Sequence, residues 1–305
     1  MAMISKLPLA SVVFGISGAA NAFLCIVWIR AHSDICLSIG CFASLASAFL
    51  AVVLGLVSIA CLVWRDDMER IGYAVWGILL GVLVGAGWIQ IPGLLRSRIA
   101  ANESATTGSL KTIAVQQAEF RKQREVDQDG DGVGEYGYLC ELSGEITPRN
   151  KKATGPVSPP YISAQFCTGG STGNGAAKKS EYFYRIYLIG KDGTVTDDTA
   201  CDGSASKPGT PLNPETNQAA IDEQEKHFVV YAWPVEVNVT GQRCFFVNEM
   251  GETYGTKMNN VTYSGTNGPT WNAAFKAKGE PYAISGRDNR GCPDSVDGNI
   301  WTPAG

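Results

Sequence analysis

Three long apolar runs without a single charge occupy the first third of the chain, and they constrain it more than any other feature. Leu7 to Ile29 spans 23 residues, Ile35 to Trp64 spans 30 and Ile71 to Leu95 spans 25. About 20 apolar residues cross the hydrocarbon core of a bilayer as a helix, so each run is long enough to predict a membrane helix. The polar links between them, Arg30–Asp34 and Arg65–Arg70, are short and suit antiparallel neighbours. Ala20-Asn-Ala22 has the form of a secretory cleavage site. Phe23–Ile29 continues the apolar run past it, which favours a retained helix over a cleaved signal. Gly77, Gly81 and Gly85 recur every fourth residue and line one face of the third helix, a surface for close helix contact within the chain or between copies.

Charge separates this third from the rest. Residues 1–100 carry a net +2 and residues 101–305 a net −6. A mildly acidic outer domain argues against a binder of nucleic acid, which needs a basic surface. His32 and His227 are the two histidines, too few for a multi-histidine metal site. Cys140, Cys167, Cys201, Cys244 and Cys292 are widely spaced in the polar part, with no C-x-x-C pair. That argues against zinc and for disulfides, with the pairing open and at least one thiol left over.

The segment Ile89–Ile113 resembles the N-terminal helix of type IV pilins and type II secretion pseudopilins. The likeness is carried by Pro92, by Leu94-Leu-Arg-Ser-Arg98, by Asn102-Glu-Ser-Ala105 and by Gly108-Ser-Leu-Lys-Thr-Ile113. It implies a bacterial inner-membrane protein whose last membrane helix continues, over residues 92–125, into a spine covered by an antiparallel sheet. Gly77, Gly81, Gly85, Pro92, Leu94, Leu95 and Ile99 would then serve assembly. Val75 stands where that family has an acidic residue, and no Gly stands at the cleavage position, so the chain is not expected to be processed like a pilin. Independently of the resemblance, Leu110, Ile113, Ala114, Gln117 and Phe120 fall on one stripe of a helix.

After the helix, Asp127-Gln-Asp-Gly-Asp-Gly-Val-Gly-Glu135 places carboxylates at alternate positions before glycine. Asp127, Asp129, Asp131, the Val133 carbonyl and Glu135 are the ligand types of a calcium loop. Tyr138 stands where such a loop requires a bidentate acid, so a remote acid such as Asp192 or Glu249 is needed to complete the shell. The competing reading is a plain Asp/Gly-rich turn between helix and sheet. Beyond a Pro/Gly/Ser-rich stretch at 144–180, strands are predicted at Tyr182–Ile189, His227–Trp233 and Arg243–Asn248, the last forming a hairpin with Thr253–Thr256. A long polar loop precedes His227, and a short helix is expected at Trp271–Lys278. The many aromatics favour core and cross-strand pairing over a binding platform.

The fold class expected is therefore α+β: membrane helices in 1–91, a spine helix in 92–125 and a β-rich outer domain in 126–305. His32 falls in a membrane loop and His227 among strand residues, so neither suggests an activated Ser or Cys, and a non-enzymatic role is expected. The function expected is a membrane-anchored, pilin-like structural subunit. Its partners are the lipid bilayer and either further copies of itself or a membrane complex, and its outer domain lies on the periplasmic or extracellular side. The alternative is a module that binds a glycan or peptide, and Ca2+ is the one cofactor proposed.

Overall fold

The computed structural model describes residues 49–54, 56–57, 71–149, 155–168, 176–190, 195–197, 212–277 and 294–304. The chain divides into two compact units, Met1–Arg96 and Ser97–Gly305. Helix α1, Ile71–Gln123, begins in the first and ends in the second, running through Pro92 without interruption. In the second unit follow the short helices α2 (Leu139–Leu142) and α3 (Gln165–Thr168). Strands β1 (Ala177–Lys179), β2 (Tyr182–Ile189) and β3 (Val195–Asp197) come next, then helix α4 (Pro214–Lys226). The chain closes with β4 (Phe228–Pro234), β5 (Cys244–Asn248), β6 (Thr253–Thr256) and β7 (Thr302–Pro303).

The architecture is α+β around one antiparallel sheet in the order β1-β2-β4-β5-β6-β7, with β3 also paired to β2. The register sets Tyr184 opposite Ala232 and Tyr231 opposite Phe246. Because side chains alternate across a strand, Tyr182, Tyr184, Ile186 and Leu188 fall on one face with Phe228, Val230, Phe245 and Val247. That face is covered by the α1 stripe: Leu110, Ile113 and Phe120 are fully buried. Gln117 sits in the same stripe without penalty, its amide donating to the Gly137 carbonyl (2.7 Å) and accepting from the Gly137 N–H (3.0 Å).

The opposite face is also buried. Phe183, Tyr231, Trp233, Phe246 and Tyr254 pack beneath Tyr263, Phe275 and Trp301. This cover is irregular chain: of the helix expected at Trp271–Lys278, the described residues 271–277 form turns, and Lys276 pairs with Ser295 in an isolated bridge. The Tyr231 hydroxyl stitches the cover to the sheet, donating to the Trp271 carbonyl and accepting the Ala274 N–H, both at 3.0 Å. The aromatics thus serve the core. Cys140 and Cys167 form a disulfide, which ties α2 to α3, and Cys244 is a buried free thiol. Cys201 and Cys292 lie outside the described residues.

Among the described residues no helix is long and apolar enough to cross a membrane. The run Leu7–Ile29 and most of Ile35–Trp64 lie outside those residues. The expected fold of transmembrane helices feeding a pilin-like spine is therefore corrected to the α+β arrangement above. With it fall the lipid bilayer as partner, the homo-oligomer or membrane complex that depended on anchoring, and the inner-membrane localisation. Of the expected assembly positions, Gly77, Gly81 and Ile99 are buried and Leu94 and Leu95 exposed, while the surroundings of Gly85 and Pro92 are outside the described set.

One buried ion pair joins several of these elements. Glu141 on α2 accepts from the Tyr138 N–H (2.8 Å) and from Arg149 Nη1 (2.6 Å), and Arg149 Nη2 donates to the Tyr136 carbonyl (2.6 Å) and to Gln224 on α4 (3.4 Å). Truncating one partner of such a pair strands the other charge, at about 3–5 kcal/mol. Arg149→Met is expected to lower the free energy of urea unfolding by about that amount, and an unchanged midpoint would show the pair to be inert.

Candidate metal centre

The acidic loop is built on the end of α1. Arg124, just past the helix, adopts a left-handed φ of 57°, and the Glu135 N–H closes the loop on the Val126 carbonyl at 3.1 Å. Gly134 packs so tightly on the helix end that a Cβ there would meet the Arg121 carbonyl oxygen at 2.2 Å, and Arg121 Nε donates to the Gly134 carbonyl (3.2 Å). Only glycine fits that approach. Inside the loop each aspartate turns the chain. Asp127 accepts the Gly130 N–H (2.7 Å), Asp129 the Asp131 N–H (3.1 Å) and Asp131 the Val133 N–H (2.7 Å).

This folding brings carboxylate oxygens of Asp127, Asp129 and Asp131 within 4.8 Å of one another. Glu135 is not part of that group. It is fully buried, with Oε1 accepting the Gln128 N–H (2.9 Å) and Oε2 without a hydrogen-bond partner. Burial raises its pKa, opposed by that N–H and by Arg149. Of the remote acids expected to complete the shell, Asp192 lies outside the described residues and Glu249 pairs with His227 at 2.9 Å.

Helix α4 brings two further acids to Asp129. Asp129, Asp222 and Glu225 form a second group whose ligand atoms also lie within 4.8 Å of one another, so Asp129 belongs to both. Helix α4 occupies sequence that reads as polar loop, because Ile221 is its one fully buried apolar residue. Its start is nonetheless marked: Asn213 caps it through the Glu215 N–H (3.2 Å), Pro214 takes the first helical position and Glu215 lies in the first turn. Gln218, Asp222 and Glu225 then fall at i, i+4 and i+7 on one face. The Gln224 carbonyl accepts the Tyr136 N–H (3.1 Å), which fixes that face against the segment after the loop.

Electrostatically the cluster is poised against itself. Glu225 is 7% exposed, and its Oε1 has no hydrogen-bond partner. Burial first, then repulsion from Asp131, Asp129, Glu135 and Asp222, pushes its pKa up to about 7. Asp129 goes the opposite way. Burial raises it, but the Gln218 amide and the Asp131 N–H outweigh that and hold it below the usual value. Beside the loop, Arg124 lays its guanidinium against Gly132.

No family model, curated protein or solved structure matches this chain. The resemblance to pilins and pseudopilins is therefore corrected, since neither a matching fold nor a membrane-spanning helix among the described residues supports it. What remains is the chemistry: two acidic groups sharing Asp129, each able to coordinate a metal ion.

In a chelating buffer the repulsion has a readable sign. The folded Glu225 carboxyl holds a proton up to about pH 7, whereas its ordinary value is 4.5, so stability falls as pH rises through that window. Glu225→Gln is expected to match the wild type near pH 4 and to exceed it near pH 8 by on the order of 2–3 kcal/mol in urea unfolding. Equal stabilities at both pH values would remove the repulsion from the account.

Proposed function

We propose that the second unit is a cation-binding module, not an enzyme, and that its ion is a hard divalent cation held between the 127–135 loop and α4. The structural-subunit reading is withdrawn with the membrane anchor on which it stood. The observation that carries the proposal is Glu225: a buried carboxylate with an unpartnered oxygen, set among the acids of Asp129, Asp131 and Asp222. Burying a carboxylate without a partner costs several kcal/mol, and a cation placed among these oxygens offsets that cost directly.

The donor set selects the class of ion. Every ligand atom is a carboxylate oxygen, with no histidine nitrogen or thiolate in either group. Oxygen-only sites suit calcium or magnesium over zinc or copper. Calcium takes 6–8 oxygens in irregular geometry, which fits a ligand set drawn from a turn-rich loop and one face of a helix. Magnesium demands near-octahedral order and keeps its water, which fits less well. A glycan or peptide ligand finds less support, because Tyr182, Tyr184, Tyr231, Trp233, Tyr254 and Trp301 are all buried.

Calcium chloride titrated into the full chain is expected to give a binding isotherm. Ligand at a hundredfold its Kd adds about 2.7 kcal/mol, which for a domain of this size raises Tm by roughly 5–10 °C. Magnesium should bind more weakly. The double variant Asp129→Asn, Glu225→Gln should lose both heat and shift. Absence of either response to millimolar calcium in the wild type would refute the reading.

A further inference from the structure

We propose that Gln218 is itself a ligand of the ion, its side-chain amide turning over to present Oε1 between Asp129 and Asp222; this rests on the cation-binding reading above. The Gln218 Nε2 group donates to Asp129 Oδ2 and also to Asp222 Oδ1 (2.9 Å). Gln218 thus bridges a loop acid and a helix acid that, with Glu225, make up one of the two acidic groups. A single polar head touching both carboxylates occupies the position from which a cation would reach both.

An amide has two chemically opposite ends, and only one is compatible with an ion there. The NH2 end donates to carboxylates and repels a cation, while the carbonyl end accepts and coordinates it. Rotation about the terminal torsion of glutamine exchanges the two ends, and that torsion is broad and roughly two-fold, so the exchange is cheap. Gln218 is exposed, which leaves its head free of packing that would oppose the turn. Its spacing from Asp222 and Glu225, i to i+4 to i+7, keeps all three heads over one face of α4. A neutral carbonyl also adds an oxygen without adding to the negative charge already gathered in Asp127, Asp129, Asp131, Asp222 and Glu225.

The test is calcium chloride calorimetry on the full chain, with wild type, Gln218→Leu and Gln218→Glu compared and far-UV circular dichroism confirming that helix content is kept. The wild-type titration comes first. If wild type takes up no calcium, the cation-binding reading fails and this proposal with it. Given wild-type binding, a ligand role predicts that Gln218→Leu raises Kd by ~10-fold or more, whereas Gln218→Glu, which keeps an oxygen at the same reach and adds charge, binds at least as tightly as wild type. A Gln218→Leu protein that binds calcium as well as or better than wild type would overturn the proposal alone, because the amide would then be a bystander or a competitor for the two acids.

Discussion

The buried pair of Glu141 and Arg149 is the constraint on which the arrangement of the second unit turns. A carboxylate and a guanidinium withdrawn from water are tolerated when further hydrogen bonds take up most of their remaining donors and acceptors. Here Glu141 also takes the Tyr138 and Arg149 N–H groups, and Arg149 also reaches the Tyr136 carbonyl, Gln224 and the face of the Tyr138 ring. These obligations specify where α2, the segment after the acidic loop and α4 must lie relative to one another. The pair's value lies in that specification, since an apolar replacement of similar shape is often no less stable.

The placement of the candidate metal centre follows from this. Gln224 and Glu225 are neighbours on α4, and the same helix position that gives Arg149 a partner brings Glu225 to the loop. A loop of alternating aspartates is common as a turn motif and needs no ion. What distinguishes this one is a second element that delivers acids to it and buries one of them. The electrostatic conflict is local to the site and is supported by the network beneath it, where Gln128 accepts the Leu212 N–H at 2.6 Å and gives its own N–H to Glu135.

Periodicity made much of the second unit legible. The stripe from Leu110 to Phe120 is buried on the sheet, and the strands at 182–189, 228–234 and 244–248 and the 253–256 partner lie where alternation and turn residues placed them. Composition misled where it stood in for contacts. Apolar runs predicted membrane helices that the described residues do not supply, and a local likeness around Pro92 suggested a family that no comparison supports. Helix α4 was hidden because it buries little apolar surface, so its signal lay in its cap and its polar spacing and not in hydrophobicity. Glu135 illustrates a further limit: its type and position fit a calcium loop, but the closing hydrogen bond to Val126 turns it inward, a choice that only three-dimensional closure decides.

The kink in α4 has a mechanical consequence. Asn217 leaves helical geometry at φ −129°, ψ 19°, immediately before the residue whose amide bridges the two acids. The loop wall of the site is stiff, pinned to α1 by the Gly134 contact and by the Arg121 and Glu135 hydrogen bonds. The α4 wall is held as well, by the Tyr136 N–H on the Gln224 carbonyl beyond the kink, so the break in the helix sets the aim of the Gln218 head without loosening Asp222 and Glu225.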